Sequence, residues 1–293
     1  MNTKISEKDF SLIQQRDRTP IGQLVPPPYF FGVKKNWDYT ILDAFSSVGW
    51  IDHCETAARS LGAGFLSKSI FKVNFKNILK RMWSGEDVPR YLSMPLGLLR
   101  EIFKQNDSVR VLDIGGGYGD NYHLLRRNIV LSAKKKLIFD VVDNERSCQL
   151  GRRLFEYSEE IFFHKDIPTN DCKLIIIVGT IQYIPNWRDF LLFVSKLKSK
   201  FIYISRTPIR LDGPTFISTQ SICPAFGSQS LRKVGEANVS VVGWDDLENS
   251  MREIGYIIKE KKLNSDYSKN FSRLPVEYRN IAYVDSMWVS KNF

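Results

Sequence analysis

Apolar residues in the middle of this chain arrive in short runs, each long enough for one buried strand. Such runs occupy 109–114, 137–143, 160–164, 173–179 and 200–205. Between several of them apolar residues recur every three to four positions, which predicts helices near 120–130, 145–157 and 187–198, with another over about 96–105 after Pro89 and Pro95. That alternation is the pattern of an α/β fold with a doubly wound, mostly parallel sheet. After Arg206 it stops. Residues 207–242 are rich in Pro, Gly, Ser and Thr, carry the turn signal Asp212-Gly213-Pro214, and predict a long inserted loop. Helical spacing returns at 244–254 (Trp244, Leu247, Met251, Ile254), ends at Gly255, and is followed by Tyr256-Ile257-Ile258 and a last strand over 281–290. At the amino end, a polar stretch runs into Pro26-Pro27-Pro28, and the pattern from Trp37 to Trp83 predicts several helices. The chain thus divides into an amino-terminal helical segment, 1–95, and an α/β domain, 96–293.

The first strand of that domain ends in the densest motif of the sequence, Val111-Leu112-Asp113-Ile114-Gly115-Gly116-Gly117-Tyr118-Gly119. Glycine at a strand-to-helix turn permits positive φ and lets a ligand approach the backbone with no Cβ in the way. The spacing excludes two common ligands. A dinucleotide turn, G-x-G-x-x-G, would need glycine where Asp120 stands, and no G-x-x-x-x-G-K-[ST] nucleotide loop exists. What remains is D-x-G-x-G-x-G, the first motif of class I methyltransferases that use S-adenosylmethionine. The second strand ends in Asp143, where ligands of open α/β sheets bind, and a carboxylate there suits two ribose hydroxyls. Backbone N–H groups from Gly115, Gly116, Gly117 and Gly119 and the start of the next helix suit a carboxylate of the ligand. Tyr122, one turn into that helix, has two readings: a contact to the same carboxylate, or a packed aromatic.

Composition narrows the setting. With 293 residues, 43% hydrophobic and 25% charged, the chain is ordinary for a globular protein. No apolar run approaches the ~20 residues of a membrane span, and no secretory signal is evident, which predicts a cytoplasmic protein. Cys54, Cys148, Cys172 and Cys223 lie far apart, as do His53, His123 and His164, so neither a disulfide frame nor a metal site is expected. The net charge of +10 favours anionic partners. Part of it forms a row, Lys68, Lys72, Lys76 and Lys80, on an amphipathic helix that is either a solvated face or a surface for a phosphorylated substrate or an anionic leaflet.

With these residues in view, the chain resembles a family of class I methyltransferases found in bacterial surface-polysaccharide and O-antigen gene clusters. The matching segments are Val111 to Tyr122, Ile177 to Ile184 (IVGTIQYI) and Ile204 to Gln220 (ISRTPIRLDGPTFISTQ), within roughly 100–260; Asp120 and the amino-terminal third depart from the family pattern. The resemblance implies a Rossmann-like, mostly parallel seven-stranded sheet with helices on both faces. It implies S-adenosylmethionine as cofactor, with Asp166 at the adenine amino group, Ile167 against the ring and Gly179 beside the methyl-transfer centre. Gln182, Arg206 and Gln220 fall on the acceptor side, and Tyr183 or His123 is the candidate proton acceptor. The acceptor implied is a sugar hydroxyl on a phosphorylated or lipid-linked carrier, with at most peripheral membrane contact. The amino-terminal segment and the 207–242 loop would cover the acceptor site.

Two other readings stand beside this one. The charge allows an RNA or DNA methyltransferase, but the fourth strand lacks [ND]-P-P-[YF], and Cys223-Pro224 reverses the Pro-Cys order of a base-methylating nucleophile, so nucleic acid is disfavoured. The other is a non-catalytic protein that retains the nucleoside pocket.

Overall fold

The computed structural model describes residues 30–41, 44–47, 50, 52, 54–56, 88–222, 234–264 and 268–292. The lysine-row helix expected over 68–80, and Cys223 and His53, lie outside the described residues. No helix among them is long and apolar enough to cross a membrane.

Each apolar run of the central region forms a strand. In chain order these are β1 (Phe30–Lys34), β2 (Ser108–Ile114), β3 (Lys136–Val142), β4 (Ile161–His164), β5 (Leu174–Val178), β6 (Phe201–Arg210), β7 (Phe216–Ile222), β8 (Gly235–Gly243), β9 (Tyr256–Asn264) and β10 (Ile281–Ser290). The helices are α1 (Ser93–Gln105), α2 (Asp120–Asn128), α3 (Glu145–Leu154), α4 (Trp187–Ser195) and α5 (Trp244–Glu253). Strands β4, β3, β2, β5 and β6 lie side by side and parallel; β10 then runs antiparallel between β6 and β9. The order reverses between β2 and β5, and both neighbours leave a crevice beyond their carboxyl ends, where ligands of such sheets bind.

Side chains along the buried strands alternate between two cores. Val109, Val111, Phe139, Val141, Ile176 and Tyr203 meet Leu99, Phe103 and Leu125 of α1 and α2 on one face. Leu112, Ile114, Ile175, Ile177, Ile202 and Ile204 meet Leu191, Val194, Leu247 and Met251 of α4 and α5 on the other. With both faces covered, a parallel strand reads as continuous apolar sequence, as Leu174-Ile175-Ile176-Ile177-Val178 does.

Among the described residues the sheet has the expected seven strands, β4, β3, β2, β5, β6, β10 and β9, and three more. The expectation that 207–242 is a long loop needs correction. β6 continues to Arg210, and β7 and β8 form an antiparallel pair joined to it: β8 runs beside Ile209 and Arg210, past the point where β5 has ended. The segment reads as loop because its buried residues are small and polar: Ser218, Thr219, Ser221, Asn238 and Ser240 are all buried. Their hydrogen bonds come from distant chain, Ser218 Oγ donating to the Phe31 carbonyl (3.1 Å) and Asn238 Nδ2 to the Asp38 carbonyl (2.7 Å). Ahead of the helices expected from Trp37, the amino-terminal segment contributes strand β1, which pairs with β7 through Phe30 and Gln220. β1, β7 and β8 thus form an antiparallel layer beyond the carboxyl ends of β5 and β6.

Candidate active site

The glycine turn between β2 and α2 shows three kinds of glycine. Gly115, Gly117 and Gly119 have φ of 74°, 58° and 92°, a region that side-chain-bearing residues rarely adopt. Gly119 serves packing: a Cβ there would lie 2.9–3.1 Å from Ile161, Phe155 and Phe163. At Gly115 a Cβ would strike Thr180, and at Gly116 it would strike Asp113. Gly117 is different. A Cβ there would meet nothing closer than Asp120 Oδ1 at 3.9 Å, so its backbone faces open space. Gly179, after β5, has φ of 63° and equally open surroundings.

Asp113 lies fully buried at the end of β2. Its Oδ2 accepts a hydrogen bond from Asn121 Nδ2 at 3.1 Å, while Oδ1 is a buried acceptor with no partner among the described residues. Burial holds this carboxyl well above the usual carboxylate range, against the Asn121 hydrogen bond and with help from the charges of Asp120 and Asp143. Asp143 braces the turn: Oδ2 accepts from the Gly117 N–H (2.9 Å), and Oδ1 from the backbone and side-chain amides of Asn144 (both 2.7 Å). Asp166 is exposed just past β4, and Ile167 packs against the α4–α5 side of the core.

Past β5, a 3-10 turn over Ile181–Tyr183 carries the acceptor-side candidates. Gln182 is buried, its Nε2 donating to the Arg206 carbonyl at 3.4 Å, and its Oε1 has no partner among the described residues. The Tyr183 hydroxyl donates to Gln220 Oε1 on β7 at 2.8 Å. Burial pushes it up to about 12, against the hydrogen bonds of Gln182 and Gln220 and the Arg206 charge. In this arrangement the Tyr183 hydroxyl is a hydrogen-bond donor that joins the β5 turn to β7. Described fragments of the amino-terminal segment reach the same place, Phe45 packing edge-on against the Tyr183 ring at 4.6 Å.

Tyr122 is corrected. Its hydroxyl donates to Glu160 Oε2 (2.9 Å), and its ring packs on Phe139 and Phe155, so it is a core residue turned away from the glycine turn. Glu160 is shared with Arg126, which helps hold that hydroxyl in place. His123 is buried on α2, and burial, with a smaller contribution from the Arg127 charge, pulls it down to about 4. Its imidazole is neutral at pH 7.

Several residues around the crevice carried no motif. Asn121 holds Asp113, and Thr180 fills the space Gly115 leaves. Tyr91, beside α1, lies 5.1 Å under the Arg206 guanidinium. Asp120 stands at the start of α2, raised by burial and opposed by the charge of Arg206. A lone Asn, Thr or Tyr has no spacing that marks it; only its neighbours in space do. Among the described residues no cluster of His, Cys, Asp and Glu is placed to hold a metal ion.

No protein-family model and no curated protein matches the chain. Solved structures do. The magnesium protoporphyrin IX methyltransferase of Synechocystis PCC 6803, crystallised with S-adenosylhomocysteine, is 11% identical over 87% of this chain and all of that one, with a TM-score of 0.49. An S-adenosylmethionine-dependent methyltransferase from Clostridium acetobutylicum is 12% identical over 74% of this chain and 97% of its own, with a TM-score of 0.45. The [4+2]-cyclase SpnF is 11% identical over 73% and 92%, with a TM-score of 0.44. The strand order by itself, a mostly parallel sheet covered on both faces, is Rossmann-like. Likenesses this distant say nothing of reaction or substrate.

Proposed function

We propose that the chain is an S-adenosylmethionine-dependent methyltransferase whose acceptor is a sugar hydroxyl on a phosphorylated or lipid-linked intermediate of surface-polysaccharide synthesis. One observation carries the cofactor: the unpartnered Asp113 Oδ1 beside the open backbone of Gly117, beyond the carboxyl end of the central strand. A buried acceptor without a donor is costly unless a ligand supplies one, and the ammonium of the cofactor's methionine end has that chemistry. Gly115 and Gly117 would line the methionine portion, Asp143 the ribose, Asp166 and Ile167 the adenine, and Gly179 the approach to the methyl group. Gly116 and Gly119 keep the turn in shape. The word sugar rests on the resemblance of the Gln182-Tyr183 and Arg206-Thr207-Pro208 segments.

When bound, the cofactor supplies a methyl group on a sulfonium. The protein's part is to hold an acceptor oxygen in line with it, which is worth several kcal/mol of the barrier. Gln182 Oε1 suits the acceptor's hydroxyl proton, Arg206 an anionic group, and Gln220, fixed by Tyr183, a further hydroxyl. Neither Tyr183, at about 12, nor His123, at about 4, has the near-neutral value of an efficient base. Positioning therefore carries most of the rate, with His123 left as a weak proton acceptor.

Calorimetry with S-adenosylmethionine and S-adenosylhomocysteine tests the cofactor; no heat with either ligand on folded protein would overturn it. Mass spectrometry of surface glycan from a strain lacking the protein tests the acceptor, where the expected result is loss of one methyl group. An unchanged glycan, in conditions where the gene is expressed, sinks the sugar assignment.

A further inference from the structure

Strand β6 does not pair evenly with β10. Val284 faces Thr207 and Ser286 faces Ile204, so Ser205 and Arg206 together oppose the single residue Asp285. An extra residue of this kind is a β-bulge, which bends the strand and re-aims a side chain, often beside an active site. Arg206 absorbs the bend with φ of 52°, a left-handed conformation unfavourable to any residue with a Cβ. Such conformations persist where the surroundings over-determine them, and they gather at functional sites.

The surroundings here do so. Ser205 Oγ donates to Asp285 Oδ1 at 2.5 Å, and both residues are buried. The Ser205 carbonyl accepts from the Gly179 N–H at 2.8 Å, and the Arg206 carbonyl from Gln182 Nε2 at 3.4 Å, which fastens the bulge to the turn after β5. The guanidinium itself is exposed, 5.1 Å above the Tyr91 ring, and Tyr91 is held in turn by the Tyr203 hydroxyl on its carbonyl. Among the described residues no carboxylate lies within ion-pairing distance of Arg206. Beside it, Gln182 donates one amide N–H to the bulge, and its buried Oε1 has no partner among the described residues.

The geometry points to this bulge as the receptor for a hydroxylated anion, in which Arg206 binds the charge, Gln182 Oε1 accepts a hydroxyl proton, and Asp285 acts through Ser205 as a positioning residue. This deepens the acceptor side of the proposed function and rests on that reading. A guanidinium recognises phosphate or carboxylate with a planar fork of donors, which rewards being held at one angle. The shared chemistry is an anionic group close to a hydroxyl; a phosphorylated sugar and a uronic acid both have it.

The test is calorimetric titration of the full chain, with and without S-adenosylhomocysteine, using glucose 1-phosphate, glucuronate and inorganic phosphate as probes. At least one of the two sugars is expected to bind, and the preferred one identifies the anion. Arg206→Ala should weaken it at least tenfold. Gln182→Leu should weaken the sugar about fivefold and leave inorganic phosphate within twofold. Asp285→Ala should weaken the sugar about fivefold, Asp285→Asn, which keeps an oxygen for Ser205, should restore it to within twofold, and Ser205→Ala should reproduce the alanine variant if Asp285→Ala fails to fold. Affinity for S-adenosylhomocysteine should stay within twofold throughout. No binding of either sugar to the wild type, or unchanged binding in Arg206→Ala, overturns the receptor. Equal loss of sugar and S-adenosylhomocysteine in both Asp285 variants makes that residue structural and overturns its positioning role. If S-adenosylhomocysteine alone fails to bind, the cofactor reading falls, while the titrations without it still decide the receptor.

Discussion

The two sides of the crevice are built differently. The cofactor side is local: strand β2, the glycine turn and α2 are consecutive, and the longest reach among the turn's own hydrogen bonds is from Gly115 to Val142, 27 residues on. The acceptor side is assembled from distant chain. β1 meets β7 through a bond spanning 187 residues, Asn238 reaches Asp38 across 200, and the bulge at Ser205 is braced by Asp285, 80 residues later. A local device can be carried by a short motif and reused with many partners. An assembled one varies with every insertion, so the cofactor side states a chemistry and the acceptor side states a substrate.

The largest effects should separate these sides cleanly. Gly117→Arg places a long side chain in the open space before the turn, so calorimetry should show cofactor affinity falling by more than about 100-fold, or roughly 3 kcal/mol, while the left-handed φ of 58° costs only about 1–2 kcal/mol of stability. Gly119→Val tests the opposite. Its Cβ would lie about 3 Å from Phe155 and Phe163 at φ of 92°, and overpacking with left-handed strain should cost about 2–5 kcal/mol in urea unfolding. If Gly117→Arg unfolds the protein and Gly119→Val only weakens ligand binding, the assignment of the two glycines is wrong.

A pH experiment sharpens the cofactor side. The His123 imidazole is held at about 4 in the folded state against 6.5 for the free group. The unfolded chain therefore binds the extra proton between those values, so the contribution is whole above pH 6.5 and lost as pH falls toward 4. It amounts to about 3 kcal/mol at most. His123→Gln should flatten the acid limb of stability between pH 4.5 and 7.5. Asp113 has the opposite sign: its raised value means stability declines as pH climbs above the ordinary carboxylate range. Asp113→Asn should remove that decline, and a variant that steepens it instead would contradict the buried, proton-holding state.

Smaller effects belong to the acceptor side. Gln220→Ala and Tyr183→Phe each break the bond that joins the β5 turn to β7, at a cost of about 0.5–1.5 kcal/mol in stability. Methylation of the native glycan fraction should slow severalfold in both, with cofactor affinity within twofold. A matching loss of cofactor binding would show that the two sides are coupled. The smallest effect is expected where the amino-terminal segment touches α3: Arg153 Nη2 pairs with Glu55 at the surface, and Arg153→Ala should change stability by less than about 1 kcal/mol.

By itself the sequence determined the strand–helix alternation, the glycine turn with Asp113 and Asp143, and the last strand at 281–290, whose boundaries it matched. These rest on periodicity and on backbone conformations that few residues tolerate, both local properties. Tyr122 shows the limit even there, since a hydroxyl one turn into a helix points to either side until Glu160 claims it. Only the tertiary structure decided that Ser218, Thr219, Asn238 and Ser240 are buried strand residues, that Tyr183 gives its proton to Gln220, and that Ser205, Arg206 and Asp285 form one bulge. A polar side chain looks alike in sequence whether water or a distant carbonyl satisfies it. The choice is made by long-range pairing, whose free energy exists only once the chain has closed.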